Sequence, residues 1–331
     1  MKNIKKPIII SGIPRSGTTP LGRVLSSIKG FSMIYEPFNV NQGIVDVQFN
    51  YPYPGKNISV EEFQSIFNNL VQFKSSFKKG YLKHDSLAKR IFKTFFGNES
   101  SLSYFKAKKS SSTNQLLIKD PFLLFSSEEL CLDHKVIICY RPLPPLAASF
   151  KRMKWDFKEY EDLINFFPTN SIKSYRLQVS NKISSNVIGA IQFYELFYYY
   201  INNINLNKNL YFFSQENFST NPIEEITNLL KWLELEVSDE IILLSQSLNK
   251  GKISQIKIPE KSIQHDSNYN KKYSNEYYKS VLTKEEIELI DTFVAEERFE
   301  LPTFGLWFRC SNQLSYSAIN RLKLYHTELN V

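Results

Sequence analysis

The sequence predicts an α/β protein, a three-layer α/β/α arrangement around a central, mostly parallel sheet, in a single domain spanning residues 1–331. Strand-like runs alternate with segments of helical periodicity, the pattern of a parallel sheet covered on both faces. A hydrophobic fraction of 42% and a charged fraction of 22% belong to a soluble globular chain with a sizeable core.

Pro7 to Ser11 is a β-branched run ending at Gly12, and Thr18 to Ser27 carries apolar residues at helical spacing, so the chain opens strand, loop, helix. "FSMIYEPF" reads as a strand ending at Tyr35, since Pro37 cannot continue inside a sheet, and Glu36 falls at that strand's carboxyl end. Residues 41–113 are irregular and are expected to form a variable acceptor-side insertion. Within them "SVEEFQSIFNNLVQF" is a helix capped by Ser59, with Glu62 three residues on. "NQLLIKDPFLLFSSEEL" gives a strand to Ile118, the tripeptide Lys119-Asp120-Pro121, and a helical segment.

"HKVIICYRPLPPLAASFKRM" repeats that design: a buried-type strand from Lys135 to Tyr140, Arg141 at its end, and a helix whose first turn accepts Pro144 and Pro145. An aromatic helix near Ile188 to Ile201, the strand "LYFFSQ" and the helix "NPIEEITNLLKWLEL" follow, with "FYELFYYY" read as helix core. Residues 249–278 are polar and aperiodic, a long loop and candidate lid. A helix starts near Thr283, and the last 20 or so residues carry no placed signal.

The net charge of +8 suits an anionic partner, whether nucleotide, acidic glycan, acidic peptide, nucleic acid or membrane surface, without choosing among them. Much of it is lysine scattered among Asn, Ser and Ile, and "KAKK" at Lys106 to Lys109 reads as solvated loop, so no nucleic-acid partner is expected. Cys131, Cys139 and Cys310 have no metal-ligand spacing and only four histidines are present, which argues against a zinc site or a disulfide framework. The apolar run Ile8 to Ile10 is too short for a signal sequence or a membrane span, making the cytoplasm the expected compartment. The sequons at Asn57, Asn98 and Asn217 are what chance gives in so Asn-rich a chain.

Ligands of a parallel sheet lie outside the carboxyl ends of its strands. Four polar features fall there: the loop Gly12 to Thr19, Glu36, Lys119 and Arg141. The loop has a P-loop-like Gly-x-x-x-x-Gly outline, and its backbone N–H groups and the following helix N-terminus favour anionic oxygens. Arg15, Ser16, Thr18 and Thr19 add side-chain donors, but Thr18 stands where a nucleotide triphosphatase carries lysine, so a smaller terminal group fits better than a triphosphate.

"GIPRSGTT" resembles the 5′-phosphosulfate-binding loop of the sulfotransferases that use 3′-phosphoadenosine 5′-phosphosulfate (PAPS), and "VIICYRPLPPLAASFKR" resembles the same family's 3′-phosphate motif. "IKDPF" is similar to the Lys-Asp-Pro-Phe segment of the tyrosylprotein branch, and "FSQENFSTNPIEEITNLLKWLEL" to the family's late strand end and closing helix. The resemblance covers about Pro7 to Leu235. It implies a P-loop-like fold, PAPS as cofactor with 3′-phosphoadenosine 5′-phosphate (PAP) as product, no required metal, and a hydroxyl acceptor; a chain without a membrane span suits a glycan or other surface or secondary metabolite sulfated before export. Peptide tyrosine is the alternative acceptor, and a kinase or a non-catalytic nucleotide binder a more distant reading.

By the same resemblance Gly12, Pro14, Arg15, Ser16, Gly17, Thr18 and Thr19 cradle the phosphosulfate, and Arg141 and Ser149, with Arg152, hold the 3′-phosphate. Lys250, in Lys250-Gly251-Lys252, is similar to a basic loop that touches the same phosphate. Arg15 and Lys119 are the expected stabilisers of the leaving oxygen and Glu36 the expected general base. Against these stand plainer roles: Glu36 as a salt-bridge partner of Arg15 or Lys119, Asp120 as a helix cap beside a structural Lys119, and Arg141 as a cap on strand carbonyls.

Overall fold

A computed structural model of the chain describes residues 5–80, 86, 97–168, 172–205, 207–248 and 275–296. Tertiary contacts divide the chain into two compact units, Met1–Glu286 and Ile287–Val331. Lys250, most of the candidate lid, part of the 41–113 insertion and the chain's last residues lie outside the described residues.

The first unit is built on a five-stranded sheet in the order β2-β3-β1-β4-β5. The strands are β1 (Lys5–Gly12), β2 (Phe31–Tyr35), β3 (Gln115–Lys119), β4 (Lys135–Tyr140) and β5 (Leu210–Ser214). Every neighbouring pair is parallel. Ile10 lies beside Lys119, Tyr35 beside Lys119 and Gly12 beside Cys139, so the strands that carry the predicted polar groups end at one edge.

The main helices are α1 (Thr18–Ser26), α2 (Val60–Val71), α3 (Glu99–Lys109), α4 (Leu143–Met153), α5 (Ser185–Asn203), α6 (Pro222–Leu233), α7 (Asp239–Ser247) and α8 (Lys284–Glu296). Ile8, Ile10, Leu117, Ile137 and Phe213 point from the strands into one core with Leu21, Val24 and Leu25 of α1 and Ile226, Leu229 and Leu230 of α6. The alternate residues Ile9, Leu116, Ile118, Val136 and Ile138 are also fully buried, so both faces of the sheet are covered.

Several local details differ from expectation. Lys106 to Lys109 are not loop but the exposed last turn of α3, which a reciprocal Asn98–Ser101 capping box starts and whose carbonyl end favours lysine. Asn98 is buried, and its side chain accepts from the Ser101 N–H at 3.0 Å, in keeping with its sequon being a chance occurrence. The segment after β3 is a 3₁₀ turn, Pro121–Ser126, running into a short helix, Ser127–Leu130. Ser59 caps α2 by accepting from the Glu62 N–H at 3.1 Å, as the sequence suggests.

Asp120 knots the carboxyl edge together. Its N–H donates to the Ile10 carbonyl at 2.8 Å, extending the β1–β3 ladder by one rung. Its carboxylate accepts from Phe38 N–H at 2.6 Å and Phe122 N–H at 3.0 Å, pinning the chain beyond β2 to the chain beyond β3. Full burial, and secondarily the Glu36 carboxylate, push the Asp120 carboxyl up to about 8 against the pull of those two donors. Among the described residues no helix is long and apolar enough to cross a membrane.

The fold brings the first loop against β4 through Gly12. Its φ is +131°, and a Cβ there would collide with the Cys139 carbonyl and amide. Gly12→Ala is expected to lower the unfolding free energy by at least about 1–3 kcal/mol, the scale of backbone strain at such a conformation. Urea unfolding followed by circular dichroism measures this, and a midpoint equal to that of wild type would contradict the packing described.

Candidate functional site

The Gly12–Thr19 loop closes on itself and on β4. Ile13 N–H donates to the Cys139 carbonyl at 3.0 Å, and Ser16 N–H to the Ile13 carbonyl at 3.2 Å. Gly17, at φ +88°, is the N-cap of α1; the helix has no side-chain cap and no acidic residue in its first turn. Its terminal N–H groups and positive end therefore face the cavity without an internal anion. The Ser16 hydroxyl is buried and has no hydrogen-bond partner among the described residues. An uncapped helix start, a left-handed glycine and an orphaned buried hydroxyl together fit a phosphate or sulfate group.

At the neighbouring strand ends Lys119 and Glu36 form an ion pair, Nζ to Oε1 at 2.6 Å. The lysine side chain is 3% exposed and the glutamate 19% exposed, so the pair sits at the inner end of an open cavity rather than on the surface. Lys119 Nζ also lies 4.3 Å from the centre of the Tyr35 ring, a cation–π contact. Glu36 has φ +43° and Arg15 φ +70°, both left-handed conformations that a residue with a Cβ holds only when its surroundings insist. For Glu36 that restraint is its own N–H on the Lys119 carbonyl at 2.8 Å and its carbonyl accepting from Ser100 Oγ at 3.2 Å. Both plainer readings thus have a counterpart: Glu36 is paired with Lys119, and Asp120 does cap the turn after β3.

Arg141 leaves the end of β4 and is 3% exposed. One of its terminal nitrogens donates to the Arg15 carbonyl at 3.1 Å, and Arg15 Nε donates to Ser149 Oγ on α4 at 3.1 Å. Arg15, Arg141 and Ser149 are therefore one connected cluster, although the sequence separates them widely. Arg15 also stacks its guanidinium 5.8 Å from the Trp155 ring centre.

A single cavity of about 630 Å³ gathers most of the predicted residues: Pro14, Arg15, Gly17, Thr18, Thr19, Glu36, Lys119, Arg141, Ser149 and Arg152. Gly12 and Ser16 lie behind its wall, one packed on β4 and the other buried in the loop. Five cationic side chains face three acidic ones on the lining, a balance that favours an anion. Sequence reasoning missed Arg23, Tyr35, Asn50, Trp155, Glu159 and Gln215, which also line the cavity. Tyr35 had a signal, since it precedes Glu36 at the strand end; the others come to the site only through tertiary packing, as when Asn50 donates to Glu159 at 2.7 Å.

The described residues hold no group of His, Cys, Asp and Glu arranged to bind a metal ion. Among solved structures, the sulfotransferase domain of the Synechococcus PCC 7002 olefin synthase is 14% identical, covering 89% of this chain and 96% of that one at a TM-score of 0.42. A mouse sulfotransferase complexed with PAP is 12% identical, covering 91% and 88% at a TM-score of 0.42. A Mycobacterium avium sulfotransferase is 11% identical, covering 88% and 76% at 0.37. No curated protein sequence matches the chain. The family model of the sulfotransferase domain matches residues 5–301, which takes in all five strands and the cavity they end in, and the protein belongs to that family.

Proposed function

We propose that the protein transfers a sulfuryl group from PAPS to an acceptor hydroxyl, leaving PAP. The observation that carries this reading is the Glu36–Lys119 pair at the mouth of an anion-type loop that lacks the lysine of nucleotide triphosphatases. A sulfuryl group bears less negative charge than a terminal phosphate, and Arg15 with the two threonines suffices for it.

In this reading the loop from Gly12 to Thr19 holds the phosphosulfate through backbone N–H groups and the Ser16, Thr18 and Thr19 hydroxyls. Arg141 and Ser149, with Arg152, take the 3′-phosphate, and Lys250 is assigned there by resemblance alone. PAPS supplies the sulfuryl group: the bond from sulfur to the acceptor oxygen forms as the bond from sulfur to the bridging phosphate oxygen breaks. Glu36 accepts the acceptor's hydroxyl proton at Oε1 or Oε2. That protonation cancels its charge and releases Lys119 from the ion pair. The freed ammonium, with Arg15, then faces the bridging oxygen on which negative charge builds. One salt bridge would thus keep the lysine from moving early and deliver it when it is needed.

The favoured acceptor is a hydroxyl on a glycan or other surface or secondary metabolite, sulfated in the cytoplasm before export. Asn39, Asn41, Gln42 and Asn50, the last three of them from the proposed acceptor-side insertion, offer amides to such hydroxyls along the wall. Peptide tyrosine is the second reading, favoured by Phe122, Phe157 and Phe193 on the same wall.

Incubation with labelled PAPS and fractionated cell extract tests transfer directly. In calorimetry PAP is expected to bind more tightly than 5′-AMP by at least about 1.5 kcal/mol, the scale of one charge-assisted hydrogen bond. Equal affinities would remove Arg141 and Ser149 from the 3′-phosphate site.

Substitutions at the pair and at Arg141 should separate chemistry from binding. Glu36→Gln should reduce kcat by a factor on the order of 10² or more with PAPS affinity nearly unchanged. Lys119→Ala should also act mainly on kcat, because its contact with the leaving oxygen is made in the transition state. Arg141→Ala should weaken PAPS binding first. Near-normal turnover by Glu36→Gln at saturating substrate would leave the salt bridge as that residue's whole role.

A further inference from the structure

One part of the cavity, unused by the transfer chemistry, is built from aromatic rings and carboxylates, with Tyr51 at its centre. The Tyr51 ring meets Phe122, Phe193, Phe125 and Phe157 edge-on, at centroid distances of 5.1, 5.4, 5.9 and 6.0 Å. Its backbone is held at φ +56° by Asn57, whose side chain donates to the Tyr51 carbonyl at 3.2 Å and accepts from the Tyr53 N–H at 2.7 Å. The residue is 4% exposed and lines the cavity, yet its hydroxyl makes no hydrogen bond among the described residues. Phenylalanine would fill the same box of rings, and a buried tyrosine hydroxyl ordinarily has a partner. That hydroxyl is available to whatever occupies the cavity.

Glu159 belongs to the same wall. Asn50, the residue before Tyr51, donates to Glu159 Oε1 at 2.7 Å, and Phe157 lies two residues before Glu159. The more exposed Asp156 accepts from Ser185 Oγ at 2.9 Å and from Asn186 Nδ2 at 2.8 Å. All of these donors are neutral, and neither carboxylate has an ion-pair partner among the described residues. Glu36 differs, since Lys119 offsets its charge at 2.6 Å. The segment that carries the two carboxylates is closely packed: a Cβ on Gly189 of α5 would stand 2.8 Å from the Phe157 nitrogen. Each carboxylate keeps lone pairs for further donors.

Uncompensated negative charge beside aromatic rings is the chemistry that recognises an ammonium group. The carboxylate attracts its charge, the ring faces attract it through their quadrupoles, and its N–H groups satisfy the Tyr51 hydroxyl. A neutral acceptor would leave the Glu159 charge unmatched, and an anionic one would be repelled by it. We propose that Tyr51 and Glu159, with Asp156 beside them, form a subsite for a protonated amine on the acceptor, as in an amino sugar or an amino alcohol. The amine is held by the subsite and the hydroxyl is the atom sulfated. The inference rests on the reading of this cavity as the site of sulfuryl transfer, and it narrows the acceptor to a compound with an unacylated amine.

Chemical modification of the acceptor tests this without altering the protein. An extract fraction that takes label from labelled PAPS is divided into untreated, N-acetylated (acetic anhydride) and N-dimethylated (formaldehyde with cyanoborohydride) portions. Acetylation removes the positive charge of an amine and dimethylation keeps it. Labelling should fall at least about tenfold after acetylation and persist after dimethylation. Equal labelling after acetylation, the behaviour of a neutral glycan or a phenol, overturns the subsite. Loss of labelling after both treatments overturns it too, because the amine would then be the sulfated atom or be needed for something other than its charge.

Two variants test the residues. Glu159→Gln keeps the Asn50 hydrogen bond while removing the charge, and should raise KM for the untreated acceptor at least about tenfold, read by dilution of the fraction. Tyr51→Phe keeps the ring and should raise KM by a smaller factor. An unchanged KM in either variant overturns that residue's place in the subsite, and if a variant does not fold the modified fractions decide with wild type alone. Absence of label from every untreated fraction overturns instead the reading of sulfuryl transfer on which the subsite rests.

Discussion

A carboxylate and an ammonium meet at 2.6 Å where two neighbouring parallel strands end, and the rest of the site is arranged around them. Lys119 is nearly fully buried, so its charge is tolerable only because Glu36 lies against it and the Tyr35 ring beneath it. Removing one member of such a buried pair leaves an uncompensated charge, at a cost of about 3–5 kcal/mol where burial is complete and less on the partly open Glu36 side. The pair also explains a backbone anomaly. Glu36 takes a left-handed conformation one residue beyond β2, and its N–H on the Lys119 carbonyl and the Asp120 knot beside it hold that turn in place.

The same edge supplies the opposite kind of electrostatics a few residues away. The loop after β1 reaches the edge because Gly12 packs directly on the β4 backbone, and it ends in an uncapped helix start. Arg141 then ties β4 to that loop through the Arg15 carbonyl, and Arg15 passes the connection to α4 through Ser149. Donors suited to an anion and the Glu36 carboxylate are thus set side by side by strand register.

Much of the framework was legible in the sequence because it is local. The Ile8 to Ile10 run before Gly12, the break at Pro37 and the Lys119-Asp120-Pro121 tripeptide each mark a strand end within a few residues, and a parallel sheet brings such ends together. The Glu36–Lys119 pair stood among the plainer roles the sequence offered, but the other partners were not legible. Nothing in "PRSGTT" announces that Arg15 will bond Ser149, and nothing near "FNYPYPG" announces that Asn50 will meet Glu159, because those contacts span 134 and 109 residues. The lysines of "KAKK" misled in the other direction: composition resembled loop, while the Asn98–Ser101 capping box, a three-residue signal, started a helix through them. Tyr35 lies between the two cases, visible as a strand residue but set against the Lys119 ammonium only by the pairing of β2 with β3.

A crystal structure with bound PAP is the most direct measurement of the central claim, that one sheet edge holds the donor nucleotide against the Glu36–Lys119 pair. The account predicts the 5′-phosphate on the N–H groups and hydroxyls of residues 16–19, the 3′-phosphate on Arg141 and Ser149, and an open space beside Glu36 for an acceptor hydroxyl. A nucleotide bound with its phosphates reversed, or seated away from the carboxyl ends of β1 and β4, would contradict it.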